Sequence, residues 1–267
     1  MIRRSFLRTQ PPRLLNWLLP GLFFLAWLVV CETGLAPPYL LPHPKDVLAT
    51  GSSYLFGDAG QMAYAGRFFE DVTASAVRVL LGFGLAVAAG IPLGVLSGRL
   101  ALVNRLLSTS INALRAVPGI SWLPLAMVWF GIGIKTTVFP VALAAFFPVY
   151  LNAEAGARQV NPTLLQAGAM MGVRRLRGTF AILLPAAMPN IITGLRLGMG
   201  ISWAYLVLGE LTGVPNGLGA LIMDARMLGR IDIIVVGIIL IALMGRLCDV
   251  GLHQALRLGF KSARRIS

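Results

Sequence analysis

Apolar runs of membrane-crossing length recur from one end of this chain to the other, and that recurrence restricts the fold more than any other feature. A helix needs about 20 apolar residues to cross roughly 30 Å of hydrocarbon, where every backbone N–H and C=O must be paired internally. Such runs lie at residues 14–31, 73–97, 106–131, 137–155, 191–211 and 233–251. The expected fold is therefore an all-α integral membrane protein with about six transmembrane helices. Composition agrees: 57% of the 267 residues are hydrophobic, 12% are charged and the mean hydropathy is +0.79. Soluble domains carry about 25% charged residues.

The net charge of +13 raises nucleic-acid binding as a function class, and the distribution of the charge argues against it. Of the 23 Lys and Arg, fourteen fall in alternate loops: Arg3, Arg4, Arg8, Arg13; Arg99, Arg105; Arg158, Arg174, Arg175, Arg177; and Arg257, Lys261, Arg264, Arg265. The intervening loops hold five, Lys45, Arg67, Lys135, Arg226 and Arg230. Basic residues collect on the cytoplasmic side of membrane proteins, so this asymmetry is a topology signal that puts both termini inside. The Arg3-Arg4 pair followed by Ser5, Phe6 and Leu7 resembles a twin-arginine export signal. The run after it is too long and too rich in Leu, Phe and Trp for a signal peptide, and is read as the first membrane helix. Cys31 and Cys248 sit in the first and last runs without metal-ligand spacing, as small buried apolar residues do.

Between the first two runs, prolines at 37, 38, 42 and 44 and five acids (Glu32, Asp46, Asp58, Glu70, Asp71) mark an external connection. Pro44-Lys45-Asp46 starts a short surface helix within it, and His43 is read as a loop residue. Gly82, Ala86, Gly90, Gly94 and Gly98 fall on one helix face, a pattern for close packing inside the bundle. The run at 106–131 contains Pro118-Gly119 and Pro124 and is expected to be broken. Broken helices at membrane depth are tolerated where they line a wet cavity, which makes Arg115, Pro118 and Trp122 candidates for a transport path. Arg115 and Arg196 are the in-span candidates for meeting an anion; a structural salt bridge or snorkelling is the competing reading of each. Glu210 is expected near an outer helix end, as a gate residue or a partner for Arg226 or Arg230.

One polar, basic stretch interrupts the apolar pattern on the inner side, from Gln166 to Pro185. Asn161-Pro162 fits an N-cap followed by proline at the first helical position, and Gly172 fits the end of that helix. A second short piece carries Arg174, Arg175 and Arg177 towards Leu184-Pro185. A helix lying between two spans at the membrane surface implies a docking partner.

These residues carry a family resemblance. Gln166-Ala167-Gly168, three residues, Gly172, nine residues, then Ile182-Leu183-Leu184-Pro185 resembles the E-A-A…G…I-x-L-P loop of permease subunits of bacterial ATP-binding-cassette (ABC) importers. The spacing is kept throughout; Gln166 replaces the glutamate and Gly168 the second alanine. Leu40 to Pro44, Pro118 to Pro124, Trp129 to Gly133, Gly194-Leu195-Arg196, Trp203, Gly209-Glu210 and Gly217-Leu218-Gly219 look like the nitrate, sulfonate and taurine branch.

The resemblance implies a type I importer with a coupling helix between the fourth and fifth spans. Gln166, Ala167, Gly168, Gly172, Arg174, Arg175, Ile182, Leu184 and Pro185 would contact an ATPase, and Arg115, Pro118, Trp122, Arg196, Trp203 and Glu210 would border the pathway. The implied partners are two ATPase subunits, a second permease copy as homodimer, a periplasmic binding protein and lipid, in the bacterial inner membrane, with no nucleic acid. Residues 1–13 and 261–267 would be cytoplasmic basic ends, 14–72 the first helix and periplasmic connection, and 73–260 the permease core with its coupling loop at 158–185. The chain has no G-x-x-x-x-G-K-[ST] loop, so ATP and Mg belong to the partner and no cofactor to this chain. No catalytic constellation is evident either, and the expectation is a non-enzymatic subunit. The rivals are an ion-coupled secondary carrier, which would need intramembrane acids and an inverted repeat, and a non-transporting assembly subunit.

Overall fold

The computed structural model describes residues 15–58 and 64–259, and every regular element among them is helical. Arg3, Arg4, Arg8, Arg13, Lys261, Arg264 and Arg265, expected at the two cytoplasmic ends, lie outside the described residues.

Three helices make the centre: α3 (Phe68–Arg99), α6 (Ile134–Gln159) and α9 (Leu184–Glu210), with α6 between the other two. Small residues permit this arrangement. A Cβ on Gly82 would stand 2.6 Å from Val141 Cγ1, one on Gly94 2.5 Å from the Tyr150 carbonyl oxygen, and one on Gly98 2.5 Å from that of Glu154. On the far side of α6, a Cβ on Gly194 would come within 2.7 Å of Asn152 Cβ. Close backbone approach of this kind supplies dispersion where lipid removes the hydrophobic drive between helices. The small-residue face read from the sequence is thus occupied inside this chain.

Around this centre, α11 (Ile231–Gly259) packs on α9 and carries α10 (Leu218–Met227) and α2 (Pro44–Phe56) at one end. His43 caps α2, its Nδ1 accepting from the Lys45 N–H at 3.2 Å. The helix is no mere surface element, since Val47 and Tyr54 are buried. α1 (Leu15–Glu32) is apolar and contains Pro20; its 18 residues span about 27 Å at 1.5 Å per residue.

The run expected as one broken helix resolves into α4 (Ala101–Ala116), a 3-10 turn at Gly119–Trp122 and α5 (Leu123–Phe130), with a 90° bend at the break. Pro118 has no N–H to continue the helix, and Pro124 restarts it in the first turn of α5. Four helices are long and apolar enough to cross a membrane: Phe68–Arg99, Ile134–Gln159, Arg175–Glu210 and Ile231–Leu258; the bent pair makes a fifth if it counts as one span.

Candidate functional site

At the loop end, α7 (Pro162–Met170) begins with Asn161, whose side chain accepts from the Thr163 N–H at 2.9 Å. It stops at Gly172, which takes φ +80°, a left-handed conformation costly for any residue with a Cβ. The turn is closed by bonds from Met171 N–H to Ala167 O at 3.1 Å, Gly172 N–H to Ala169 O at 3.0 Å and Val173 N–H to Gly168 O at 3.0 Å. The chain then enters α8 (Arg175–Gly178), passes a π-helical turn at Thr179–Leu183 and runs directly into α9. Arg175 to Glu210 is one continuous 36-residue helical stretch, longer than the separate short piece expected from the sequence.

The hairpin of α7 and α8 encloses a groove of about 320 Å³ that brings together Gln166, Gly168, Arg174, Arg175 and Ile182. Ile182 Cδ1 occupies the place where a Cβ on residue 168 would stand, so the glycine and the isoleucine are matched. Gly168 is buried, whereas Gln166, Ala167, Gly172, Arg174, Arg175 and Pro185 are exposed and Leu184 half-buried. Arg99, at the end of α3, donates to the Arg175 carbonyl at 2.8 Å and ties the central bundle to the loop. Around the groove, Met170, Met171, Leu176 and Phe180 are 84%, 78%, 79% and 70% exposed, an apolar surface interleaved with Arg174, Arg175 and Arg177.

The opposite end holds a buried polar network. Arg78 Nη1 donates to Glu210 Oε1 at 2.6 Å and to the Asn216 carbonyl at 2.7 Å, and Nη2 donates to Asn216 Oδ1 at 2.6 Å. Glu210 also accepts from Ser75 at 2.8 Å and from the Gly219 N–H at 2.8 Å. Asp71 accepts from the Tyr54 hydroxyl at 2.9 Å and from the Gly217 N–H at 2.9 Å. Burial, then the adjoining Asp71 carboxylate, push the Tyr54 phenol above the usual tyrosine range, which keeps it a donor. Every buried charge here has its partner, as a low-dielectric site demands. Asp71, read from sequence as a loop acid, is inside the first turn of α3, and Glu210 pairs with Arg78 instead of Arg226 or Arg230. Arg230 is held by Asp232 at 2.7 Å. An in-span arginine calls for an acid, and that signal was available at Arg78.

A third feature lies where the bend after α4 faces the middle of α6 and α9. A cavity of about 410 Å³ is lined by Arg115, Pro118, Gly119, Phe147, Ile201 and Tyr205, among others. Of the sequence-derived pathway residues, the structure brings Arg115 and Pro118 to this cavity. It does not bring the other four. Trp122 is half-buried one turn further on, Trp203 is buried against Gly245, Glu210 is fully buried in the polar network opposite the hairpin, and Arg196 is forked onto Asp249 at 3.1 Å through Nε and Nη2. Tyr205 was missed, because no motif marks it. No cluster of three or more His, Cys, Asp or Glu suited to a metal occurs among the described residues.

An all-helical bundle with several apolar helices of membrane-crossing length, an exposed hairpin at one end and a bonded cap at the other defines the class of protein: a polytopic helical membrane protein. The chain belongs to the family described as the binding-protein-dependent transport system inner membrane component, which matches residues 90–253. It is similar to the taurine transport system permease protein of Escherichia coli (strain K12), with 34% identity over 232 residues covering 86% of this chain and 83% of that one. A Bacillus subtilis (strain 168) chain named as an aliphatic sulfonates transport permease protein is 34% identical over 232 residues, 87% and 81% of the respective chains. Among solved structures, an inward-facing MetNI methionine ABC transporter matches with a TM-score of 0.58 at 20% identity, covering 73% of this chain and 99% of that chain. That match is one of fold.

Proposed function

We propose that this chain is the membrane-spanning subunit through which an ATP-driven ABC importer passes a small anion, such as a sulfonate, taurine or nitrate, delivered by a periplasmic binding protein. Residues 73–260 form the permease core, residues 158–185 couple it to the ATPase, and both termini are cytoplasmic. Two ATPase subunits, which hold the ATP and Mg, dock on two permease copies; this chain catalyses nothing.

The observation that carries the reading is the hairpin around Gly172. Its exposed Met170, Met171, Leu176 and Phe180 offer apolar area for a partner, and each such side chain is worth about 1.5–3 kcal/mol when fully covered. Gln166, Ala167, Gly168, Gly172, Arg174, Arg175, Ile182, Leu184 and Pro185 build and present that surface. ATPase closure would displace the hairpin as a rigid body, because α8 is continuous with α9 and Arg99 fastens α3 to the Arg175 carbonyl. The two outer members of the central trio then tilt about α6, exposing the cavity at the bend after α4 alternately to each side.

Co-purification tests this. The chain with an intact hairpin retains the ATPase encoded with it, and Leu176→Asp/Phe180→Asp, both fully outside the packed core, loses it. Gradient-driven flux by the isolated chain in proteoliposomes contradicts the reading.

A further inference from the structure

We propose that the cavity between the α4–α5 bend, α6 and α9 is a substrate subsite selective for organic monoanions with an uncharged apolar tail, their anionic head held by Arg115 and Tyr205. The inference rests on the reading of this chain as an importer's pathway, and it assigns selectivity to the permease itself.

Position comes first. The cavity is lined along α6 from Leu143 to Leu151. At 1.5 Å per residue those positions lie about 13–26 Å along a helix of about 38 Å, which is the middle of the span.

Donors come next. Arg78 is paired with Glu210, and Arg196 and Arg246 share Asp249. Arg115 makes no ion pair or hydrogen bond among the described residues, and neither does the Tyr205 hydroxyl. An exposed guanidinium and a half-buried phenol, neither engaged by another described residue, therefore border one cavity and are available to an arriving anion. Gly119 makes the Tyr205 position possible, because the tyrosine ring lies where a Cβ on residue 119 would stand.

The walls then choose among anions. Val117, Leu143, Phe147, Leu151 and Ile201 are apolar, and among the described residues no Asp or Glu lines the cavity. Nitrate satisfies the guanidinium but leaves the walls unfilled. A zwitterion such as taurine brings an ammonium that finds no carboxylate; Pro148 deprives the Ala144 carbonyl of its helical donor, but that acceptor is neutral. An alkyl tail fits the walls, and each buried methylene strengthens binding about fourfold.

The test uses the complete permease–ATPase complex in nanodiscs without binding protein, with Cys31→Ala and Cys248→Ala and a reporter thiol introduced by Ala144→Cys. The readout is the rate of maleimide labelling in the presence of nitrate, taurine, methanesulfonate, butanesulfonate or butyrate. Butanesulfonate and butyrate are expected to protect, with butanesulfonate effective at about four- to sixtyfold lower concentration than methanesulfonate, for one to three further methylenes buried. Nitrate and taurine are expected to protect far less. Arg115→Gln abolishes the protection, Arg115→Lys restores part of it, and Tyr205→Phe weakens it about tenfold. Equal protection by all five anions, protection by none, or indifference to Arg115→Gln overturns the subsite. ATPase retention is measured on the same samples: if it is kept while the selectivity is missing, the subsite alone fails, and if it is lost with an intact hairpin, the importer reading fails with it.

Discussion

Replacing Glu210 by Gln keeps the volume of the side chain and removes its charge, so the polar network around Arg78 can be interrogated without opening a cavity. Oε1 faces Arg78 at 2.6 Å and Oε2 faces the Gly219 N–H at 2.8 Å. An amide satisfies one of these at most, since its NH2 group meets a second donor on the other side. Arg78, itself buried, then loses its only carboxylate within ion-pair distance among the described residues and keeps the two oxygens of Asn216. Breaking a buried pair by removing one partner costs about 3–5 kcal/mol. For 267 residues, at about 2.1 cal/mol/K of unfolding entropy each, this lowers the melting temperature by about 5–9 °C on the soluble-protein scale. Thermal unfolding of the detergent-purified complex, followed by tryptophan fluorescence, measures it. The double variant Arg78→Met/Glu210→Met is expected to lose less than the sum of its singles, because no charge is left stranded. An unchanged melting temperature for Glu210→Gln refutes the account of this cap.

Gly168 and Ile182 provide a second cycle. Alanine gains about 1 kcal/mol of helix propensity over glycine, but its Cβ meets Ile182 Cδ1; Gly168→Ala is therefore expected to be neutral or destabilising alone and stabilising alongside Ile182→Val, read by hydrogen exchange of the α7 amides. Arg196→Ala removes a half-exposed pair with Asp249 and should change stability by less than about 1 kcal/mol while leaving anion protection at residue 144 intact. The raised Tyr54 phenol binds its proton more tightly folded than unfolded, so its contribution is complete below about pH 10 and is lost as pH rises through the folded value. Tyr54→Phe should flatten the alkaline fall of the melting temperature.

Local chemistry is what the sequence made legible. Asn161-Pro162 and Gly172 bound α7 because a cap and a left-handed turn each need a particular residue. Pro118 breaks its helix whatever the surroundings, and the fourfold spacing of Gly82 to Gly98 announces a packing face before its partner is known. The size of the 90° bend does not follow from Pro118, since it is set by how α5 rests on α6. Contacts across long separations stayed hidden: Arg78 and Glu210 are 132 residues apart, and Tyr205 acquires its place only when the bend after α4 folds against α9. Asp71 reads as a loop acid because the prolines, glycines and five acids of residues 32–72 mark an external connection, whereas its burial depends on α2 and on the Gly217 turn lying over it.

The central claim is that the hairpin at residues 158–185 meets an ATPase, and a photo-crosslinking amino acid placed at position 167 on the exposed face of α7 tests it most directly. In membranes containing the whole transporter, the account predicts an ultraviolet-dependent adduct between this chain and the ATPase, lost on Leu176→Asp/Phe180→Asp. Crosslinks that reach only lipid or a second copy of this chain would contradict it.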